Sequence, residues 1–134
     1  MNIEFAYTIL YVKDVPQTIE FYKRAFWFQQ ELVTPEKDYG EIVSGPTTIS
    51  FANLELGRSN FRKGFTVSDL ESKPFGIELA FTTSDVEKAM ESAISNGAEL
   101  LEATVTKPWG QQVEYLRDPN GFILEICKPI VSEE

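Results

Sequence analysis

A structural unit repeated at a spacing of 71 residues constrains the fold of this chain more than any other sequence feature. Asp14 and Val15 stand where a strand gives way to a helical pattern, and Asp85 and Val86 stand in the same place 71 positions later (85 − 14). Each half then predicts a strand, a capped helix and three further strands. One such unit alone would leave a sheet face uncovered, so we expect two βαβββ modules that share a core in an α+β fold.

The first half supplies the clearer helix. Aromatic and β-branched residues predict a strand at 5–12, and apolar residues at helical spacing predict an amphipathic helix at about 14–26. Asp14 is the expected N-cap, with Pro16 in the first turn. Three short strands are predicted to follow, at 29–34, 39–44 and 47–53. The polar stretch 54–74 is predicted to be a connection.

The second half repeats this order. A strand is predicted at 75–83, followed by a helix that Ser84 or Asp85 begins and Gly97 ends. The remaining strands are predicted at 98–106, 111–115 and 122–127, with a turn at 118–121 before the last one. We therefore expect one domain over 1–134, with module one at about 3–54, a connection at about 55–74 and module two at about 75–128.

Composition limits the cellular location and the binding partners that we expect for this chain. No apolar run approaches the roughly 20 residues that cross a bilayer, and Met1–Val12 lacks the pattern of a signal peptide. Cys127 is the only cysteine, so no intrachain disulfide can form, and we expect a cytoplasmic location. The net charge of −9 would be repelled by phosphate backbones and anionic lipids. We therefore expect no nucleic-acid or membrane partner, and a neutral or cationic small-molecule ligand.

The chain contains no histidine. Histidine is the commonest transition-metal ligand and the usual general base near neutral pH. With a single cysteine as well, the chain cannot build a zinc site of the His/Cys kind, nor a serine–histidine or cysteine–histidine nucleophile. We accordingly predict no cofactor.

Several motifs, taken in order, resemble those of a known superfamily. They are Leu10–Val15 with Ile19–Tyr22 in the first half, and Asp85-Val86, Pro108-Trp109-Gly110, Arg117–Gly121 and Leu124–Ile126 in the second. Together they resemble the vicinal oxygen chelate proteins, which include glyoxalase I, extradiol dioxygenases and bleomycin-resistance proteins. The resemblance covers nearly the whole chain outside 54–74. It implies two βαβββ modules in an open, barrel-like mixed sheet with helices outside, and a homodimer.

One local departure concerns the end of the first helix. The family usually has Leu-Gly-Phe there, whereas this chain has Phe26-Trp27-Phe28. Tryptophan adopts a left-handed cap less readily than glycine. The position of the helix end is therefore open, and Trp27 is expected to pack on the core or at an interface.

The resemblance also implies where a metal would bind in metal-dependent relatives. Four side chains hold the ion, two from each module, and they map here to Tyr7, Ser50, Glu78 and Glu125. Glu125 matches the family's glutamate, whereas the other three positions depart from the usual ligands. Two carboxylates, a phenol and a hydroxyl suit a transition metal poorly, although magnesium or calcium could bind the carboxylates with waters. We therefore predict that the metal site is degenerate.

Strand alternation predicts that the two glutamates face the same cleft, where they could act without a metal. Glu78 should share one face with Ala80, and Glu125 should lie opposite the bulky apolar residues of its strand, so both should face a cleft. There they could bind a cationic or hydrogen-bond-donating group or act as an acid/base pair. Alternatively, they are solvated or paired with Arg58 or Arg62. The predicted ligand-binding residues are Tyr7, Tyr11, Ser50, Glu78, Trp109 and Glu125, and no catalytic residue is predicted.

Three functions remain open from the sequence. The first is a binding protein similar to bleomycin-resistance proteins, which sequesters an aromatic or cationic ligand in a cleft. The second is a divalent-metal-dependent lyase, isomerase or dioxygenase of the same superfamily. The third is a regulatory or partner-binding module with a vestigial cleft, which a cleft filled by Phe61, Phe65 or Trp109 would favour.

Overall fold

The computed structural model describes residues 1–130, excluding the side chains of 103–105. The chain divides into two compact units, Met1–Val67 and Ser68–Glu134. Each unit contains one four-stranded mixed sheet, and the sheets follow the same plan. The strand orders are β1-β4-β3-β2 in unit one and β5-β8-β7-β6 in unit two.

Unit one consists of β1 (Thr8–Val12), α1 (Val15–Phe26), β2 (Gln29–Val33), β3 (Tyr39–Ser44), β4 (Thr47–Asn53) and α2 (Leu54–Asn60). Strand β1 pairs with β4 in parallel, and the other neighbouring strands are antiparallel. The first strand is shorter than the predicted 5–12, and the strands at 39–44 and 47–53 are as predicted.

Helix α1 forms where the sequence predicts it. The Asp14 side chain accepts a hydrogen bond from the Gln17 amide at 3.0 Å and so caps the first turn. The apolar side of the helix lies on β3 and β4. Tyr22 stacks on Phe51 with the ring centroids 5.4 Å apart, and both side chains are fully buried. This contact places the core of unit one between α1 and the sheet.

Trp27 shows how α1 ends. It takes the left-handed conformation with φ 59° and ψ 28°, and its amide donates to the Lys23 carbonyl at 2.9 Å. The residue is 68% exposed, so it does not pack on the core, and its location at an interface stays a prediction. The backbone cap sets the direction of the bond from Cα to Cβ, and the indole therefore points outward. Tryptophan is unfavourable in this left-handed conformation.

Helix α2 lies in the stretch that the sequence predicts as a connection. The Asn53 side chain caps it by accepting from the Leu56 amide at 2.9 Å. Gly57, which lowers helix propensity, lies in its middle. A Cβ at this position would come within 2.6 Å of the Phe65 ring and 2.8 Å of the Tyr11 ring. Close packing on β1 therefore stabilises a helix that its local sequence does not favour.

Unit two consists of β5 (Glu78–Thr82), α3 (Val86–Ser95), β6 (Glu99–Thr106), β7 (Gln112–Arg117) and β8 (Ile123–Cys127). Asp85 is the N-cap, since its side chain accepts from the Lys88 amide at 3.1 Å. Strand β5 pairs with β8 in parallel, and β7 pairs with both β6 and β8 in the antiparallel sense. Strand β5 is shorter than the predicted 75–83, and β7 extends beyond the predicted 111–115.

The turn between β7 and β8 anchors the segment that begins unit two. The Arg117 guanidinium donates to the Gly121 carbonyl at 2.9 Å and to the Asp69 carbonyl at 2.8 Å. Gly121 has φ +91°, and a Cβ there would collide with the Asp69 backbone. This position therefore requires glycine, and the 69–70 backbone is held against the turn.

The predicted α+β fold of two βαβββ modules is confirmed. Both sheets are open rather than closed into a barrel within residues 1–130. Among these residues, no helix combines the length and the apolarity needed to cross a membrane.

Candidate functional site

Each unit has a sheet face that points away from the helix packed on it, which we call its polar face. In unit one, Ile42 and Phe51 are buried on the α1 side, so Glu41 and Ser50, which are directly paired, lie on the polar face. In unit two, α3 lies on β7 and β8. The buried Leu116, Leu124 and Ile126 face it, which leaves Tyr115 and Glu125, also directly paired, on the polar face.

The polar face of unit one carries a short chain of hydrogen bonds. The Tyr39 hydroxyl donates to Glu41 Oε2 at 2.7 Å and lies 3.0 Å from Ser50 Oγ. Since a phenol carries one proton, the Ser50 hydroxyl is the donor in the second bond. Burial, followed by the charge and hydrogen bond of Glu41, raises the pKa of Tyr39 to about 12, although the Ser50 hydrogen bond opposes this rise. Tyr39 therefore stays protonated, and Ser50 is fully buried.

Of the predicted site residues, Ser50 is hydrogen-bonded to Tyr39, and Tyr7 interacts with Tyr39 electrostatically. Tyr7 precedes β1, is 44% exposed, and its charge also contributes to the raised pKa of Tyr39. Sequence reasoning missed Tyr39 and Glu41. Alternation along β3 places both on one face, but only the pairing of Glu41 with Ser50 shows that this is the face of the site.

Aromatic rings cover the Tyr11 end of the same unit. The Tyr11 ring lies 5.1 Å from that of Phe65 and 5.7 Å from that of Phe61, measured between centroids. The two phenylalanine rings are 6.3 Å apart. The predicted ligand-binding residue Tyr11 thus has its ring packed against residues of its own chain, with α2 alongside.

The polar face of unit two carries two carboxyl groups close together. Glu78 begins β5, and Glu125 lies on the neighbouring β8, paired with Ala80. Burial raises the pKa of Glu78, and the charge of Glu125 and a hydrogen bond with its carboxyl group raise it further. Because the two carboxylates repel each other, the pair favours either a shared proton or a bound cation.

Lys107, Tyr115 and Cys127 surround this pair. The Lys107 ammonium lies 5.3 Å from the centroid of the Tyr115 ring and interacts with its hydroxyl, and its charge lowers the pKa of Glu78. Burial and the two carboxylates raise the pKa of the Cys127 thiol, which disfavours a thiolate nucleophile. Sequence reasoning missed Lys107 and Tyr115, although alternation along β7 could have suggested Tyr115.

Trp109 belongs to a different part of unit two. Its indole nitrogen donates to Gln111 Oε1 at 2.9 Å, and the Gln111 amide donates to the Lys128 carbonyl at 2.7 Å. The side chain is 64% exposed and lines a pocket of about 470 Å³ with residues that include Lys128 and Ile130. These contacts tie the predicted ligand residue Trp109 to the 128–130 segment.

The donors fit a transition metal poorly. Ser50 already bonds to Tyr39, and the chain has no imidazole to offer. Within residues 1–130, with the side chains of 103–105 set aside, no cluster of three or more histidine, cysteine, aspartate or glutamate side chains could hold an ion. Two neighbouring carboxylates and a phenol suit an organic cation better, since they supply charge and an aromatic face.

Comparison with known proteins places these features in context. The sequence profile of the glyoxalase-like domain matches residues 5–131. A lactoylglutathione lyase of Arabidopsis thaliana is 28% identical over 132 residues, which are 95% of this chain and 44% of the lyase. The chain therefore spans less than half the length of that relative.

Solved structures are similar across almost the whole chain. A glyoxalase-related enzyme from Fulvimarina pelagi has a TM-score of 0.80 at 20% identity and covers 98% of this chain and 94% of its own. A glyoxalase/bleomycin resistance protein/dioxygenase family enzyme from Burkholderia phytofirmans has a TM-score of 0.76 at 20% identity and covers 96% of this chain and 100% of its own. At these identities the likeness shows the fold alone.

Proposed function

This chain belongs to the glyoxalase-like domain family, and from that premise we propose that it binds and sequesters a small cationic or aromatic ligand. The ligand's positive charge lies against Glu78 and Glu125 on the polar face of unit two. Its aromatic part lies against the Tyr115 ring, which is paired with Glu125 across strands β7 and β8. No covalent step is required of the protein.

The observation that carries this proposal is the placement of Glu78 and Glu125 on the same face of adjacent strands, since Glu125 pairs with Ala80, two residues after Glu78. The charge of Glu125 and a hydrogen bond with its carboxyl group contribute to the raised pKa of Glu78. A ligand cation would be attracted to both carboxylates and would also relieve the repulsion between them. Its binding should therefore be stronger than binding to a single carboxylate. The Tyr115 ring, which is paired with Glu125 across the strands, already has the Lys107 ammonium over it, 5.3 Å from its centroid.

The test is a titration with benzyltrimethylammonium, which combines an aromatic ring with a fixed positive charge, followed by amide chemical shifts. We expect shifts at β5, β7 and β8 in the unaltered protein. In Glu125→Gln the affinity should fall by roughly fivefold or more, because a charge of the pair is removed. Glu99→Gln, which removes an exposed carboxylate from β6, is the matched control and should bind the probe normally.

Two results would contradict this function. One is equal loss of affinity in Glu99→Gln and Glu125→Gln, which would mean that the probe responds only to net charge. The other is the absence of any shift on β5 and β8 at millimolar probe, while both variants keep the native amide spectrum.

A divalent-metal-dependent lyase, isomerase or dioxygenase is the second candidate. The 28% identity with a lactoylglutathione lyase supports it, since the aligned region covers 95% of this chain. Against it stands the donor set, which suits hard cations with added waters rather than zinc or nickel. We assign no catalytic step to the chain.

Thermal unfolding with single divalent ions distinguishes the two candidates. An ion that binds the native state raises the midpoint by a free energy of about RT ln(1 + [L]/Kd). A rise with magnesium, manganese, zinc or nickel that disappears in Glu125→Gln would favour the enzyme. Unchanged midpoints with all four ions, together with binding of the organic cation, would favour sequestration.

We also propose a location and an assembly state for the protein. The net charge of −9 supports the proposal that it binds neither nucleic acids nor membranes, and the single cysteine supports a cytoplasmic location. A homodimer follows from the family resemblance, and the exposed Ile3 and Phe5 side chains offer apolar surface for it. A molar mass near 30 kDa by light scattering, about twice the 15.2 kDa of one chain, is expected.

A further inference from the structure

Unit two contains a cavity that the proposed function does not use. It has a volume of about 470 Å³ and lies between the β6–β7 turn and the segment 128–130. Small-molecule pockets usually have volumes of about 300–1,000 Å³, so the cavity is large enough for a ligand. Among the described residues that line it, none is Glu78, Glu125 or Tyr115. A ligand here would therefore be additional to the cation proposed above.

Trp109 lines the cavity, and hydrogen bonds restrain its ring. The indole nitrogen donates to Gln111 Oε1 at 2.9 Å, and Gln111 Nε2 donates to the Lys128 carbonyl at 2.7 Å. The Gly110 amide donates to the Lys107 carbonyl at 2.8 Å and closes the turn that carries the ring. Although it is restrained in this way, Trp109 is 64% exposed. A ligand that stacked on the indole would therefore lose little affinity to the ordering of this side chain.

Lys128 is the only charged residue among the described residues that line the cavity. It is exposed, and within residues 1–130, apart from the side chains of 103–105, it takes part in no ion pair. Pro129 and Ile130 add apolar surface. In a chain with a net charge of −9, this cavity thus combines a single positive charge with an aromatic ring and apolar walls.

We infer that this cavity, which we call the Trp109 pocket, binds a small aromatic carboxylate whose ring stacks on Trp109 and whose carboxylate pairs with Lys128. The inference goes beyond the proposed function, because it assigns a ligand of opposite charge to other residues of unit two. An organic cation could contact the indole face but would be repelled by Lys128. An alkyl carboxylate would pair with Lys128 but would lack a ring to stack on the indole.

The test is a titration with 2-naphthoate followed by amide chemical shifts, with 2-naphthylmethanol as the neutral probe of the same ring. We expect 2-naphthoate to shift amides within 106–112 and 128–130, and to bind more tightly than 2-naphthylmethanol. In Trp109→Ala the affinity for 2-naphthoate should fall by roughly tenfold or more, the scale of a lost aromatic contact. In Lys128→Met it should fall by roughly two- to fivefold, the range for an exposed ion pair.

Two matched variants serve as controls. Trp27→Ala removes an exposed tryptophan from unit one, and Lys73→Met removes an exposed lysine from unit two. Neither should change the affinity for 2-naphthoate. Because Gln111 bonds to the backbone carbonyl of Lys128, Lys128→Met keeps that hydrogen bond and tests the pocket even if Trp109→Ala disturbs the turn.

Each outcome supports or overturns the inference. Equal binding of both probes overturns the assignment to an anion, since Lys128 would then contribute nothing. Shifts confined to other parts of the chain, or no shift at millimolar 2-naphthoate, overturn the pocket as a binding site. Equal losses in Lys73→Met and Lys128→Met would show a response to net charge alone and overturn the pairing with Lys128. The benzyltrimethylammonium shifts at β5 and β8 test the proposed function separately, so either proposal can fail alone.

Discussion

The polar faces of the two units differ in what their charged and aromatic groups contact. In unit one, Tyr39 is hydrogen-bonded on both sides, by Glu41 and Ser50, and the Tyr11 ring packs on Phe61 and Phe65. In unit two, Glu78 and Glu125 lie together with Lys107 as the cation acting on Glu78. Both faces present a tyrosine and a glutamate, but unit two places two carboxyl groups on adjacent strands, whereas Glu41 of unit one accepts a hydrogen bond from Tyr39.

This difference indicates that the same structural plan serves stability in unit one and ligand binding in unit two. Hydrogen bonds and ring contacts within unit one are already made, so a ligand there would have to replace them. A ligand on unit two would instead relieve repulsion between carboxylates. We therefore expect substitutions on unit one to change stability and those on unit two to change ligand affinity, and four predictions test that expectation.

The largest expected effect is on the helix that covers unit one. Gly57→Val should lower the free energy of unfolding by roughly 1–3 kcal/mol, because its side chain would meet the rings of Phe65 and Tyr11. Chemical denaturation followed by circular dichroism measures this. Gly76→Val is the control, since a Cβ there has no neighbour within 4 Å. Equal loss in both variants would refute close packing at Gly57.

A smaller effect is expected at the buried serine. Ser50→Ala should cost roughly 0.5–1.5 kcal/mol, because it removes the hydrogen bond to Tyr39 without adding bulk. Under the same denaturation conditions, the exposed Ser72→Ala should lie close to the unaltered protein. Probe affinity on unit two should stay the same in both variants. A marked loss of probe binding in Ser50→Ala would break the division between the units.

The pH dependence of unit one follows from Tyr39. Its pKa is raised from 10.0 to about 12, so the protonated form favours the folded state, and this contribution is lost as the pH rises from about 10 to about 12. The loss should be about 1 kcal/mol or less, since solvent screens a partly exposed group. Glu41→Gln should bring the Tyr39 pKa down, as measured by ultraviolet absorbance of tyrosinate, whereas Glu55→Gln should not.

The smallest effect on stability is expected at Glu78. Because its pKa is raised, the stability it contributes is complete below its ordinary value of 4.5 and is lost as the pH rises through the raised pKa. At neutral pH, Glu78→Gln should therefore stabilise the protein by a few tenths of a kcal/mol, the scale of exposed charge interactions. The gain should vanish near pH 4. A loss of stability at pH 7 would show that Glu78 is favourably paired rather than repelled by Glu125.

The sequence by itself predicted the order of the strands and helices, except for α2. Alternation and helical spacing are local properties, so they predicted α1 and the strands at 39–44 and 47–53 directly. The caps at Asp14 and Asp85 were predicted for the same reason, since each side chain bonds to an amide three residues away. The repeat and the family motifs added the βαβββ plan and the positions of Glu78 and Glu125.

Only the tertiary structure decided which side chains surround those positions. Strand register and turn geometry place Tyr39 on the polar face of unit one, and Lys107 and Tyr115 on that of unit two. Register and turn geometry depend on pairing between residues that are distant in sequence. Helix α2 likewise forms around Gly57 because rings pack against it, against its local propensity. Periodicity assigns a residue to a face of its own strand, whereas the charge and hydrogen bonds of a site depend on the neighbouring strands.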